Sequence, residues 1–270
     1  MAEDIVPELL ERVRMDFSEM ASANTRIQKF MKRIRDGTAG MDDVSLFARN
    51  LGDMLAEVLK RDIARGTLPE GRMYYNIADR IIRPMLMENF RLTNAAAKAV
   101  MEILDGQDGI RLKALGGEWP EERVDALVGA IGESGIEWEE TERRMDEPVR
   151  NISQSFFDEF VKANAELRHR SGLRETIVRK LRGDACKWCR SLAGSYEYPD
   201  VPKDVYRRHD NCRCTVTFVS EKRRQDVWTK RTWTTPEQKE RRMTAGLELT
   251  RRTREEARRW EAGLEREKGT

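Results

Sequence analysis

The sequence predicts a mainly α protein. A multi-helix N-terminal region leads into a small α+β Cys/His module with a short β-hairpin-like pair, and a polar C-terminal helix follows. Three observations predict this. Apolar side chains recur at steps of three and four over roughly the first 105 residues. All four cysteines fall between Cys186 and Cys214. Charged residues make up 36% of the chain, which suits long solvated helices better than a thick layered core. The implied organisation is a helical domain over 1–170 with a break at 105–119, a Cys/His module over 171–233, and a charged helix or tail over 234–270.

The first helical pattern runs through Leu9, Val13, Phe17 and Met20 and on to Ile27, Phe30, Met31 and Ile34. It forms one amphipathic face ended by Asp36-Gly37. A second helix starts near Asp42-Asp43, whose charges suit a helix N-terminus, and carries Val44, Phe47, Leu51, Leu55 and Leu59 before Gly66. A third begins around Pro69-Glu70 and presents Met73, Ile77, Ile81 and Met85. Pro84 inside it is expected to kink or break the helix, because proline removes a backbone donor and crowds the preceding turn. An alanine-rich stretch, Asn94 to Leu104, continues beyond.

Gly106, Gly109, Gly116 and Gly117 predict an irregular connection. Short helices are expected over 120–130 and from Ile136 to Arg144, then a longer one from Val149 to about Arg170. That helix turns Ile152, Phe156, Phe157 and Phe160 inward and is closed by Gly172. The Trp119-Pro120 corner and the aromatic run near Phe156 read as packing residues. The β-branched run Thr176-Ile177-Val178 reads as a strand, with Val216 and Phe218 on its pairing partner. Gly194 and Pro199 look like turn residues. In the tail, Glu248 with Arg252 and Glu255 with Arg259 have the favourable four-residue spacing.

Composition excludes several classes. The net charge of +2, from 50 basic and 48 acidic side chains, gives no electrostatic footprint for extensive phosphate binding. Residues 221–270 are a local exception, with 15 basic against 10 acidic, read here as a solvated face. The acidic start, Met1-Ala2-Glu3-Asp4, does not resemble a secretory signal. No run of about 18 apolar residues offers a membrane span. The expectation is a protein kept where thiols stay reduced, so that crowded cysteines favour a metal site over disulfides.

The module reads Cys186-Lys-Trp-Cys189, then His209-Asp-Asn-Cys212-Arg-Cys214. A Cys-x-x-Cys turn lets two thiolates converge on one cation. About 20 residues later an imidazole and two further thiols can complete the tetrahedral shell that zinc prefers. Cys186, Cys189, His209, Cys212 and Cys214 are five candidate ligands for four places, and spacing does not choose the odd one out. The stretch has few large apolar residues (Trp188, Leu192, Tyr196, Tyr198 and Tyr206), so a metal would supply folding energy that burial alone could not. Ordinary buried thiols and disulfides are the competing readings.

Redox and catalytic readings fit less well. A thioredoxin-like motif needs an α/β context, and zinc deaminases place His-x-Glu ahead of Pro-Cys-x-x-Cys. His209 could serve a cysteine nucleophile, but four nearby thiols argue for coordination. His169, between two arginines, reads as exposed surface. No substrate pocket for a small molecule is inferred.

The string from Cys186-Lys-Trp-Cys189-Arg-Ser-Leu192-Ala-Gly194, followed by Tyr206-Arg-Arg-His209-Asp-Asn-Cys212-Arg-Cys214, resembles the C-terminal motif of phage minor head proteins, the Mu F-like head-morphogenesis family. That pattern is Cys-x-x-Cys, a Leu-x-Gly turn, and a histidine three residues before Cys-Arg-Cys. Family members often carry proline where Asp210 stands here. Trp228-Thr-Lys-Arg also resembles a stretch in prophage members. The likeness covers residues 173–233. It implies a virion component at the portal vertex, made in the host cytoplasm, that contacts portal or major capsid protein without catalysis. The alternative is a zinc-dependent nucleic-acid-binding module. Its support is Lys187, Arg190, Arg207, Arg208 and Arg213 around the ligands, with Trp188 or Tyr206 as stacking surfaces.

Overall fold

In the computed structural model the described residues are 4–209 and 211–220, with positions 251 and 255. The expected polar helix over 234–270, and the stretch around Trp228, lie outside them. Eight α-helices and a three-stranded antiparallel sheet make up the described part.

The single N-terminal pattern is two helices, α1 (Val6–Ala23) and α2 (Thr25–Arg35). Asn24 divides them. Its backbone is extended, and its side-chain oxygen accepts from the amides of Arg26 (2.9 Å) and Ile27 (3.2 Å), capping α2. Apolar periodicity runs through this corner because both helices turn their apolar faces to the same core.

Helix α3 (Met41–Asp62) begins where Asp43 accepts from the Gly40 amide at 2.7 Å. It is buried on nearly every side and lies at the centre of the helical part, against α1, α2 and the helices below. Two short 3-10 turns, Arg65–Thr67 and Pro69–Gly71, lead to α4 (Tyr75–Asp108). Pro84 does not break α4, which continues through it over 34 residues in all. The proline ring lines a surface groove with Glu11, Arg14 and Met15, so the missing backbone bond falls on the side nearest water. Left-handed Gly109 (φ 72°) ends the helix.

The connection over 109–120 is irregular, as expected, and two asparagines hold it. Asn94 accepts from the Gly117 amide (2.7 Å). Asn164 both accepts from the Leu115 amide (2.9 Å) and donates to the Leu115 carbonyl (3.1 Å). Trp119 then stacks on Phe156 at 5.6 Å, with Phe90 edge-on to both. This is packing, as the sequence suggested.

Helices α5 (Glu121–Ile131) and α6 (Trp138–Arg144) precede α7 (Glu147–Arg170), which buries Ile152, Phe156, Phe157 and Phe160. Helices α3 and α7 approach closely at Gly52, where a Cβ would lie 2.8 Å from Ser153 Cβ and 3.1 Å from the Arg150 carbonyl oxygen. Across the same junction Asn89 of α4 donates to Ser153 at 3.2 Å.

After Gly172 come β1 (Glu175–Lys180), the one-turn helix α8 (Lys187–Ser191), β2 (Gly194–Glu197) and β3 (Thr215–Ser220). The order is β2-β1-β3, with Ile177 opposite both Tyr196 and Phe218. The expected pairing of β1 with the Val216–Phe218 segment is present. The third strand was not expected, and Gly194 opens it rather than forming a turn. Ile177, Val205, Val216 and Phe218 belong to the same apolar cluster as the helices. The sheet is therefore not a patch that burial leaves unsupported. The helical face supplies the oily surface that the module's own composition lacks.

Candidate metal centre

Each half of the ligand set is held by a local turn. Cys186 stands before the first turn of α8, and its sulfur accepts from the Cys189 amide at 3.4 Å. This brings the two thiols of the Cys-x-x-Cys turn to one side. In the second half, Asn211 takes a positive φ of 59°, a conformation that asparagine tolerates better than most residues. The turn closes with the Cys212 amide donating to the His209 carbonyl (3.1 Å). Asn151 of α7 donates to that same carbonyl at 2.7 Å and fixes the turn against the helices.

The fold brings all five sequence-predicted residues together. Cys189 Sγ lies 2.9 Å from His209 Nε2 and 3.7 Å from Cys212 Sγ, and Cys186 Sγ is 3.3 Å from the same imidazole nitrogen. The donors form two overlapping triads, Cys186-Cys189-His209 and Cys189-Cys212-Cys214, with Cys189 common to both. Cys189, Cys212 and Cys214 are buried, Cys186 is exposed, and all four are free thiols. The nearest pair of sulfurs is far beyond the ~2.05 Å of a disulfide bond.

These residues could hold a metal ion. The donor set is sulfur-rich with one imidazole, and the 3.7 Å between Cys189 and Cys212 is close to the roughly 3.8 Å edge of a tetrahedral zinc–thiolate shell. The sulfur–nitrogen separations are somewhat tighter than such a shell needs, so Cys186 and His209 would spread slightly. Burial pushes the Cys189 thiol up to about 12, whereas the Cys189 amide lowers that of exposed Cys186. A cluster with one thiol so hard to ionise needs a cation to become a thiolate shell.

Three arginine side chains near the sheet are buried; the sequence reading passed over Arg168 and Arg179 and took Arg208 for a surface cation. Arg168 of α7 donates to Glu175 of β1 (2.7 Å) and Asp105 of α4 (2.6 Å), and its guanidinium lies 5.6 Å from the Phe218 ring centroid. Arg208 donates to both oxygens of Asp158, to Gln154 (2.8 Å) and to the Cys214 carbonyl (2.8 Å). Arg179 reaches Cys189 and Cys212 directly, at 3.7 and 3.6 Å. One signal was available. The strand period of two places Glu175, Ile177 and Arg179 on one face, and if Ile177 is buried its charged neighbours are too.

The residues set aside for nucleic-acid contact are dispersed. The Arg208 side chain is buried against Asp158. Arg207 pairs with Asp204 at 3.1 Å and Arg213 faces Glu147 at 4.0 Å; both remain exposed, as are Lys187 and Arg190. Trp188 meets His209 edge-on, and Arg179 lies over its ring. Tyr206 is half-buried, with its hydroxyl enclosed. His169 is exposed, as expected, and rests against Tyr198. Among the described residues no helix is long and apolar enough to cross a membrane.

No known family model matches the chain, and neither a curated protein nor a solved structure does.

Proposed function

We propose that the chain is a structural minor head protein of a tailed phage or prophage, acting in head morphogenesis at or near the portal vertex, with a structural zinc ion in its Cys/His centre. The observation that carries the reading is the module itself. Its motif resembles that of the minor head family, and its five donors cluster as two triads that share Cys189, although more than 20 residues separate Cys186 from His209. Zinc suits sulfur ligands combined with an imidazole in a compact shell. A structural role is supported by the burial of Cys189, Cys212 and Cys214 and by the Arg179 guanidinium against two of the sulfurs. In this reading the centre locks the sheet and its loops onto α7, and the helical part presents the surface that meets portal or major capsid protein. The particle forms in the host cytoplasm and carries the protein into the virion.

The functional test is incorporation. A tagged copy is expected to co-purify with portal protein or proheads, and its deletion to lower head yield and infectivity. A chain that never enters heads, and whose loss changes neither quantity, is not a head protein. Retention on DNA that falls with salt would instead favour the nucleic-acid module, for which Lys187, Arg190, Arg207 and Arg213 are exposed cations beside the ligands.

A further inference from the structure

Arg179 is 2% exposed, and among the described residues no carboxylate lies within ion-pair distance of it. Its two buried counterparts are different: Arg168 has Asp105 and Glu175, and Arg208 has Asp158. A guanidinium withdrawn from water is costly unless an anion accompanies it. The groups beside Arg179 that can carry negative charge are the sulfurs of Cys189 and Cys212, both approached by Nη2 at 3.7 and 3.6 Å. Nη1 donates to the carbonyls of Val205 and Arg207 (the latter at 2.9 Å), on the segment that leads into His209. The guanidinium also lies 5.3 Å from the Trp188 ring centroid, inside the Cys-x-x-Cys turn. One side chain thus touches both ligand-bearing segments.

We infer that Arg179 is the charge-compensating and positioning residue of the metal centre, its guanidinium balancing the excess negative charge of a cysteine-rich shell. The inference rests on the metal-centre reading and deepens it. A divalent ion with three thiolates and one neutral imidazole carries a single negative charge, which one arginine cancels. With four thiolates the charge would be double and Arg179 would leave half of it uncompensated. The balance therefore assigns His209 to the shell together with Cys189 and Cys212, and one of Cys186 and Cys214 as the remaining ligand.

The test compares the full chain with Arg179→Lys, which keeps the charge, and Arg179→Gln, which keeps hydrogen-bond donors without it. Zn2+ affinity is read by competition with a chromophoric chelator, and Co2+ loading by its thiolate charge-transfer band. Stability is read with and without metal. Glutamine is expected to weaken Zn2+ binding by about 10- to 100-fold, as removal of a group beside the ligands does, and lysine to recover a large part of the loss. The metal-free glutamine variant is expected to be at least as stable as the metal-free wild type, since it no longer buries an uncompensated charge. Should Arg179→Gln not fold, Arg179→Met takes its place with the same expectations. Unchanged affinity in the uncharged variant overturns the inference, and so does an equal loss of stability with and without metal that lysine fails to rescue. If the wild type itself binds neither Zn2+ nor Co2+, the metal-centre reading fails first, and the two failures are distinguishable.

Discussion

Arg208 grips both carboxylate oxygens of Asp158, with both side chains only 1% exposed, and so ties the loop just ahead of His209 to the middle of α7. Asn151, two turns earlier on α7, holds the His209 carbonyl, so the ligand loop is fastened to one helix at two points.

Breaking this pair is expected to be expensive. Asp158→Asn or Arg208→Met leaves the other partner buried without its counter-charge, at a cost of about 3–5 kcal/mol. Replacing both by apolar residues of similar volume should cost much less, because no stranded charge remains. Urea denaturation of the two single variants and the double variant measures the difference. Equal losses in all three would mean that packing, and not charge, governs the site.

The ligands should not be equivalent. Cys189 belongs to both triads, so Cys189→Ser is expected to abolish metal binding, whereas either Cys186→Ser or Cys214→Ser should leave much of it. Metal content after gel filtration reads this out. Removal of the ion by a chelator should speed hydrogen exchange over 186–191 and 205–214 while leaving α3 and α7 protected. The sheet and those helices share one apolar cluster that needs no metal. A centre that keeps its exchange protection after chelation would not depend on an ion.

Asp105 should give the protein an unusual pH dependence. Arg168 stands between two buried carboxylates and cannot neutralise both. Burial pushes Asp105 up to about 6 against the pull of Arg168, and its second oxygen has no hydrogen-bond partner among the described residues. The unfolded value is about 3.9. The folded state therefore holds the extra proton between about pH 4 and 6. The stability this provides is fully present below that window and is lost as pH rises through it, with a slope of at most about 1.4 kcal/mol per pH unit. Asp105→Asn should remove this component. Urea midpoints at pH 4.5 and 7 would then differ between variant and wild type, and identical profiles would place the proton elsewhere.

Gly52 is expected to tolerate no side chain. A Cβ there would meet Ser153 Cβ at 2.8 Å and the Arg150 backbone at 3.1–3.2 Å, groups that cannot swing away as the end of a long side chain could. Gly52→Ala should force α3 and α7 apart and cost about 1–3 kcal/mol by thermal or chemical denaturation. Gly129, inside α5 with nothing within 4 Å of its Cβ position, is the control, and its alanine variant should be at least as stable as the wild type, since alanine favours a helix interior over glycine by up to about 1 kcal/mol.

Much of this molecule was legible in the order of its residues. Spacings of three and four in Val44, Phe47, Leu51, Leu55 and Leu59 define α3 whatever surrounds it, because helix geometry alone puts them on one side. The run Thr176-Ile177-Val178 and its partner near Phe218 are local preferences of the same kind, and the five sulfur and imidazole donors stand out by type and spacing. What required the tertiary structure was every feature whose partner is distant in sequence. Asn24 ends α1 by capping α2, and Pro84 is tolerated because it meets water on the outer side of a helix held from within. Strand β2 exists because β1 offers it an edge. Arg168, Arg179 and Arg208 look like surface charges until the fold encloses them, since composition records a charge but not the distant partners, such as the carboxylates 7 to 63 residues from Arg168 and Arg208, that make burial possible. Local periodicity is a property of neighbouring residues, whereas charge pairing and strand addition belong to groups that meet only after the chain has closed.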